Sequence, residues 1–380
     1  MASLYLHIPF CEHKCIYCDF YSIAPQETGE NDDLVQRFLS ALDREIALRG
    51  QEKEFQGTYE TIFFGGGTPS LLSPKAVGTI LNRLSGSFSI SDNAEITLET
   101  NPGTVDRAKL RDFKLAGINR ISFGIQSFHE KDLRLLTRIH SADEARDGVR
   151  NAFNAGFDNV SLDLIFALPG QTLELWKSNL AQALALDPTH ISCYSLIVEP
   201  NTPLYRMVEA KQVTPLPVDE DAQMYEETMA FLAEAGYEQY EISNFAKPGF
   251  KCRHNLAYWS HRNYVSFGPS AHSFWNGKRW WNLSNVVGYT ESLSKGHFPI
   301  AGEETLTRQQ WFDETVYLGL RSEGIHLSLF EQRMQRNLLK EFKSTIDGLL
   351  TEDLARIEED RLRLTAKGYL LCDEICQSFR

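Results

Sequence analysis

Three closely spaced cysteines near the start of the chain give the clearest indication of chemistry. Cys11, Cys15 and Cys18 form a CxxxCxxC pattern directly after a predicted strand. Thiolates this close together can bind one centre, and soft sulfur favours zinc or an iron–sulfur cluster. Structural zinc takes four ligands, for which only His7 and His13 lie nearby in sequence. A [4Fe–4S] cluster held by three cysteines leaves one iron open. The cluster is therefore the favoured interpretation, ahead of zinc and of simple core packing.

A glycine triplet and two carboxylates stand in or just after other predicted strands. Gly65–Gly67 lack Cβ atoms, so backbone N–H and C=O groups there can approach a small ligand closely, although such a triplet alone is more often a tight turn. Glu99 on its own would be interpreted as a solvated carboxylate at a strand end. Asp163 lies inside an otherwise apolar strand, where a carboxylate needs a partner or a ligand.

The elements that would position these residues alternate between short apolar runs and longer amphipathic stretches. This alternation predicts βα units around a parallel sheet. The predicted strands are Leu4–Ile8, Thr61–Phe64, Glu95–Thr100, Arg120–Ile125, Asn159–Phe166 and His190–Val198. We therefore expect an α/β fold with an incomplete (β/α)6 TIM-like barrel. The candidate residues would meet at the C-terminal ends of the strands, as they also would in a doubly wound sheet.

The cysteine spacing, with Tyr17 directly before the third cysteine, resembles the signature of the radical S-adenosylmethionine (SAM) superfamily. The string from Tyr5 to Cys11 resembles the HemN/HemW subfamily, which contains anaerobic coproporphyrinogen III dehydrogenases and haem chaperones, and the resemblance covers nearly the whole chain. It implies a [4Fe–4S] cluster on the three cysteines and SAM chelated at the open iron. The implied SAM contacts are Tyr5, Tyr17, Gly66, Gly67, Thr68, Glu99, Gln126, Arg138 and Asp163.

The resemblance also implies a reaction and a further partner. An electron from the cluster would cleave SAM to methionine and a 5′-deoxyadenosyl radical, and an electron donor would then be required. Two differences from the dehydrogenase pattern argue against porphyrinogen decarboxylation. Phe20 stands where the dehydrogenase has a further cysteine, and the chain begins only a few residues before Tyr5, where the dehydrogenase has a long extension.

The segment 242–290 contains no acidic residue, although the whole chain has a net charge of −13. It contains six lysines and arginines, four tryptophans and the string His254-Asn-Leu-Ala-Tyr258-Trp259, whose HNxxYW pattern resembles the haem-chaperone signature. Haem has an aromatic ring, two propionates and an iron that accepts imidazole or thiolate. A single histidine is more often structural, and aromatic stripes are more often core. The motif in its family context favours His254 as the haem ligand, with Cys252 as an alternative.

The remaining features of the sequence limit the classes of partner and the cellular location that we expect. Cys193, Cys372 and Cys376 are interpreted as packing thiols, and the net charge argues against general binding of nucleic acid. No apolar run approaches the roughly 20 residues that cross a bilayer. There is no signal-peptide pattern either, so we expect a cytoplasmic protein that is at most transiently at a membrane surface. Homodimer formation is left open.

We expect three segments along the chain. Residues 1–240 would form the radical SAM partial barrel, and residues 241–304 would form the cationic aromatic segment that packs on it. Residues 305–380 would form a HemN-type C-terminal domain of helices and a two-stranded wing, a winged-helix-like α+β unit whose acidic composition suggests a structural or docking role.

Three hypotheses of function follow. The leading one is a radical-SAM-type haem chaperone that binds the cluster, SAM and haem and delivers haem to apo-haemoproteins such as membrane respiratory enzymes. The second is a true enzyme, either a coproporphyrinogen dehydrogenase or a radical methylase acting on another planar substrate. The third is a zinc-stabilised barrel without radical chemistry.

Overall fold

A computed structural model describes residues 2–24 and 32–379, without the side chain of Asp32. The strands are β1 (Ala2–Ile8), β2 (Thr58–Gly66), β3 (Ser89–Thr100), β4 (Arg120–Gln126), β5 (Val160–Phe166), β6 (His190–Ser195), β7 (Glu238–Gln239), β8 (Asn244–Ala246), β9 (Tyr264–Phe267), β10 (His272–Trp275), β11 (Lys278–Asn282), β12 (Ile300–Thr305), β13 (Ile325–His326), β14 (Ala355–Glu358) and β15 (Arg361–Leu364).

The helices connect these strands and form most of the C-terminal part of the chain. They are α1 (Asp32–Arg49), α2 (Pro74–Ser87), α3 (Arg107–Ala116), α4 (Glu130–Leu135), α5 (Ala142–Asn154), α6 (Leu173–Leu184), α7 (Pro203–Glu209), α8 (Val218–Glu234), α9 (Arg253–Trp259), α10 (Val286–Ser294), α11 (Arg308–Leu320), α12 (Leu327–Met334), α13 (Leu338–Glu341), α14 (Lys343–Thr351), α15 (Ala366–Leu370) and α16 (Cys372–Gln377). None of the helices in the described ranges has the length and apolar character needed to cross a bilayer.

Strands β1 to β6 lie side by side in chain order and are all parallel. At one edge β9 pairs in parallel with β1, and at the other edge β8 pairs antiparallel with β6. The whole sheet has 12 strands, and its two ends, β12 and β7, are not paired with each other. The prediction of an incomplete (β/α)6 barrel is confirmed, because six parallel strands curve around a core without closing.

The core lies between the sheet and the helices that cover it. Along β1, Leu4, Leu6 and Ile8 are fully buried in the same apolar cluster as Phe38 and Leu42 of α1. Side chains alternate between the two faces of a strand. The intervening Ser3, Tyr5 and His7 therefore face the interior of the barrel, and the candidate residues on the other strands follow the same alternation.

A second core lies in the C-terminal part of the chain. It is built from helices α11 to α16 and a small antiparallel sheet in the order β13-β15-β14. The hairpin of β14 and β15 occurs where the sequence predicts a wing. The predicted last helix is divided into α15 and α16. The backbone N–H of Ile242 donates to the carbonyl of Arg321, which joins this part of the chain to the barrel.

Candidate cofactor site

A cavity of about 420 Å³ opens at the C-terminal ends of the barrel strands, and it brings together most of the predicted site residues. Its wall contains all three cysteines of the CxxxCxxC pattern. The predicted SAM contacts that line the same cavity are Tyr17, Gly66, Gly67, Glu99, Gln126, Arg138 and Asp163. Residues from six strands or the loops after them therefore converge on one space, as expected for the active face of a barrel. We call this space the cluster cavity.

The glycine turn after β2 holds the cysteine loop in place. The N–H groups of Gly67 and Thr68 donate to the carbonyls of Ile8 and Phe10, at 2.8 and 2.7 Å. A Cβ on Gly67 would lie 2.6 Å from the Phe10 carbonyl oxygen, so a side chain there would displace the loop. The turn thus has a structural reason for glycine as well as the predicted ligand contact.

Thr68 does not line the cluster cavity, but it contacts the loop. Its hydroxyl lies 3.5 Å from the Cys11 Sγ, and it accepts a hydrogen bond of 2.8 Å from the Asn101 side-chain amide. The Asn101 side-chain oxygen Oδ1 in turn accepts a 2.6 Å hydrogen bond from Arg138. Sequence analysis did not assign a role to Asn101. The signal in the sequence that could have indicated a role is the position of this residue, two residues after Glu99 and directly after β3.

Arg138 places its guanidinium group in the cluster cavity, whose wall also includes Lys14. One guanidinium nitrogen lies 3.5 Å from the Cys15 Sγ, and another donates to the carbonyl of Gly124 at 2.6 Å. The sequence alone would place such an arginine on a helix surface. Here α4 ends three residues earlier, and Thr137, with φ of 54°, turns the chain inward. The positive charge of Arg138 acts to lower the pKa of Cys11 and so opposes the larger effect of burial on that thiol, and the thiolate is the form that binds metal.

Two carboxyl groups face the cavity from β3 and β5. Burial and, as a smaller cause, the negative charge of Asp163 raise the pKa of Glu99 to about 8. Burial also raises the pKa of Asp163, although the Ser122 hydroxyl lies 3.0 Å from one of its carboxylate oxygens. Two neighbouring buried acids favour a ligand that carries positive charge or donates hydrogen bonds. The ammonium, sulfonium and ribose hydroxyl groups of SAM have these properties.

The assignment of a metal cluster to the three cysteines rests on the family resemblance and on the chemistry of thiol ligands. Burial raises the pKa of Cys11 and raises that of Cys18 to about 11. In the part of the chain that the structure describes, no group of three or more His, Cys, Asp or Glu side chains is arranged to hold a single metal ion. The three sulfurs do line one cavity, and Arg138 lies beside them.

Tyr5 lies outside the cluster cavity. Its hydroxyl is 3.3 Å from the Nδ1 of His7, and its ring stacks on Phe63 inside the barrel. Tyr5 instead lines a second cavity of about 740 Å³, which we call the lateral cavity. Asp19 and Phe20 line both cavities, so the two spaces adjoin at the end of the cysteine loop.

His254 is buried inside the barrel. It lies on α9 with 1% of its surface exposed, and its ring stacks on Phe63 with centroids 4.9 Å apart. Its Nδ1 is 2.7 Å from the Thr61 hydroxyl, and its Nε2 is 2.9 Å from the Tyr258 hydroxyl. Burial lowers the pKa of His254 to about 3, which keeps the imidazole neutral. Both ring nitrogens therefore have protein partners in this conformation.

Cys252, the alternative haem ligand, is also enclosed. Its Sγ lies 3.6 Å from Glu95, and burial raises the pKa of its thiol to about 12. Neither Cys252 nor His254 lines the cluster cavity or the lateral cavity. Haem ligation by either residue stays a prediction, and it requires α9 or its partners to move.

The positive charge of segment 242–290 is neutralised by folding. Every one of its lysines and arginines lies within 4 Å of an acidic oxygen from another part of the chain. The pairs are Lys247–Asp187, Lys251–Glu238, Lys251–Glu323, Arg253–Glu60, Arg262–Glu60, Lys278–Glu303, Arg279–Glu304 and Arg279–Glu314. The lack of acidic residues within the segment therefore does not leave its lysines and arginines unpaired, because acidic residues far along the chain reach them.

Comparisons with known proteins agree with this architecture. The family model of the radical SAM superfamily matches residues 5–180, and that of the HemN C-terminal domain matches residues 306–371. The heme chaperone HemW of Bacillus subtilis is 37% identical over 100% of this chain and 99% of its own length. The heme chaperone HemW of Escherichia coli is 44% identical over 71% of this chain and 69% of its own.

A solved structure gives the same result. Coproporphyrinogen III oxidase (HemN) from Escherichia coli, a radical SAM enzyme, superposes with a TM-score of 0.84 at 25% identity, covering 100% of this chain and 89% of that one. The partial barrel and its cysteine loop thus define a radical SAM protein. Within that superfamily, the chain belongs to the family of the HemW proteins, and the resemblance inferred from the sequence is confirmed.

Proposed function

We propose that this protein is a haem chaperone of the radical SAM type. It binds a [4Fe–4S] cluster through Cys11, Cys15 and Cys18, binds SAM at that cluster, and carries haem to apo-haemoproteins such as respiratory enzymes. The observation that carries the proposal is the similarity over the full chain to proteins named heme chaperone. The phenylalanine at position 20, where the dehydrogenase has a further cysteine, supports the chaperone over the dehydrogenase.

The residues of the cluster cavity support the binding of both cofactors. The glycine turn holds the cysteine loop, and Arg138 lies beside the thiols. Glu99 and Asp163 offer oxygens to the cationic part of SAM, and Gln126 and Tyr17 complete the wall. When bound, the cluster and SAM would supply one-electron chemistry, with the protein orienting SAM and limiting its contact with water.

The cellular setting is part of the proposal. We place the protein in the cytoplasm, where it would bind a membrane surface transiently if the acceptors are membrane respiratory enzymes. An electron donor is required if SAM is cleaved, and the mass of the protein in solution would distinguish a monomer from a homodimer. Nucleic acid is not a proposed partner, because the acidic balance of the chain disfavours binding to phosphates.

A second candidate function is a radical SAM enzyme acting on a tetrapyrrole. It is favoured by one observation: seven predicted SAM contacts line the same cavity as the three cysteines, which is the arrangement that radical chemistry would need. The structural similarity to HemN points in the same direction.

One paired experiment separates the two functions. Anaerobically reconstituted protein, supplied with SAM and a low-potential reductant, is assayed for conversion of coproporphyrinogen III to protoporphyrinogen. The same preparation is loaded with haem and mixed with an apo-haemoprotein, and transfer is followed by absorption. The chaperone proposal predicts transfer without conversion. Conversion at a turnover rate, with no haem transfer, would overturn it.

A further inference from the structure

The lateral cavity has the size and position of a ligand site. Its volume of about 740 Å³ lies within the range of roughly 300–1,000 Å³ typical of small-molecule sites. It lies between β1, the β9–β10 extension of the sheet and helix α11, and it adjoins the cluster cavity at Asp19 and Phe20. Phe20, at this junction, is 63% exposed.

The wall of the lateral cavity is rich in aromatic rings. Tyr258 meets Tyr264 edge to face at 4.6 Å, and Tyr264 lies 6.2 Å from Phe274. Tyr317 of α11 closes the opposite side and is 42% exposed. Aromatic walls of this kind favour a flat, conjugated ligand, because ring faces and edges can pack on it without leaving voids.

His272 is the histidine of this wall whose imidazole is accessible. It is exposed on β10 and stacks on Trp281, with ring centroids 5.7 Å apart and planes 19° apart. No side-chain hydrogen bond of His272 occurs among residues 2–24 and 32–379. Of the other histidines in this wall, His7 hydrogen-bonds the Tyr21 carbonyl, and His261 is largely buried, with its ring stacked on Phe274 and its Nε2 3.2 Å from Glu314.

The charges around the cavity are balanced. Two arginines, Arg262 and Arg279, and two acidic residues, Asp19 and Glu314, line it. Arg279 is held by Glu314 at 2.5 Å, whereas Arg262 has a 3.4 Å contact with Glu60 at a half-exposed position. A ligand carboxylate would therefore find Arg262 the more available cation.

We infer that the lateral cavity binds a planar tetrapyrrole and presents His272 to its central metal. This inference rests on the proposed function, because it supplies the location of the haem that the chaperone carries. His254 is then a positioning residue: its Nε2 fixes the Tyr258 hydroxyl, and Tyr258 forms part of the cavity wall. The HNxxYW motif would then affect haem binding indirectly, by fixing the shape of the cavity wall.

The test uses ferric haem and metal-free protoporphyrin IX as separate probes, titrated into the full-length reconstituted protein. His272→Ala is expected to change the axial-ligand absorption and EPR signature of bound haem and to weaken haem binding by about tenfold or more, roughly 1.4 kcal/mol. Its affinity for metal-free porphyrin should be unchanged. His272→Tyr should give a phenolate-type haem spectrum, since tyrosine is also a haem ligand.

His297→Ala is the matched control, because His297 is exposed and lines neither cavity. His254→Ala should retain the axial-ligand signature of wild type while weakening both probes alike. An unchanged haem spectrum in both His272 variants, or loss of the signature in His254→Ala alone, would overturn this inference and leave the chaperone proposal standing. Wild-type protein that binds neither probe would overturn the chaperone proposal itself.

Discussion

The burial of Glu99 in the cluster cavity lowers the stability of the ligand-free protein, but it places a carboxyl group where a ligand can bind. Its carboxyl group has a folded-state pKa of about 8, well above the ordinary 4.5, because it is enclosed with Asp163. A raised carboxyl pKa means that the folded protein holds the proton more tightly than the unfolded chain does. Between pH 4.5 and 8 the stability contributed by this group is therefore lost as the pH rises, and it stays lost above pH 8.

Glu99→Gln is expected to stabilise the protein in the absence of SAM, and to do so more at pH 9 than at pH 5. The gain should be on the order of 1–3 kcal/mol at high pH, after allowing for water in the cavity. Urea unfolding at the two pH values measures it. Glu226→Gln, at an exposed position on α8, is the control and should show no such pH dependence. Equal effects of Glu99→Gln at both pH values would contradict the assignment.

The three cysteines of the loop should differ from the other cysteines in one measurable respect. Cys15→Ser is expected to abolish the iron and acid-labile sulfide that wild-type protein retains after anaerobic reconstitution, because a cluster loses one of its three protein ligands. Cys372→Ala, in the C-terminal core, should retain both. If Cys15→Ser kept wild-type iron and sulfide, the ligand assignment would be wrong.

The turn after β2 is the element that couples the sheet to the cysteine loop. Gly67→Ala would place a Cβ against the Phe10 carbonyl, and the loop would have to move. We expect cluster content and SAM affinity to fall at least tenfold. Gly86→Ala in α2 is the matched control, since its Cβ would meet no atom within 4 Å. Isothermal titration with SAM would show whether the two variants differ; equal affinities would refute the coupling.

Helix α9 is the element that sequence analysis placed least well. The HNxxYW motif is visible in the sequence, but its position inside the barrel does not follow from local sequence patterns. Thr61, which contacts the His254 ring, lies 193 residues away in sequence. The six βα strands were predictable because hydrophobic periodicity is local. The burial of His254 and the neutralisation of segment 242–290 depend on residues far along the chain, which local patterns do not reveal.

At the scale of the whole molecule, α11 holds the C-terminal part against the edge of the barrel sheet. Trp311 packs over Gly277, where any Cβ would overlap its ring, and lies 6.0 Å from the Phe274 ring. Glu314 joins the same helix to Arg279 and His261. The lateral cavity thus lies between the barrel sheet and helix α11.

Trp311→Ala is expected to lower the free energy of unfolding by about 2–3 kcal/mol, below the range for a fully buried tryptophan because the ring is partly exposed. It should also weaken porphyrin binding, since α11 forms one wall of the lateral cavity. Denaturant unfolding and a porphyrin titration measure the two effects. Leu329→Ala, at an exposed position on α12, serves as the control. A lower free energy of unfolding with unchanged porphyrin binding would show that α11 does not contribute to the porphyrin site.

The central claim is that one chain holds an iron–sulfur cluster and a haem together. The most direct measurement is a titration of haem into the anaerobically reconstituted protein, with iron and sulfide determined on the same sample. We predict saturation at one haem per chain, with iron and sulfide present in equal amounts before haem is added. Zinc without sulfide, or haem uptake that does not saturate, would contradict the account.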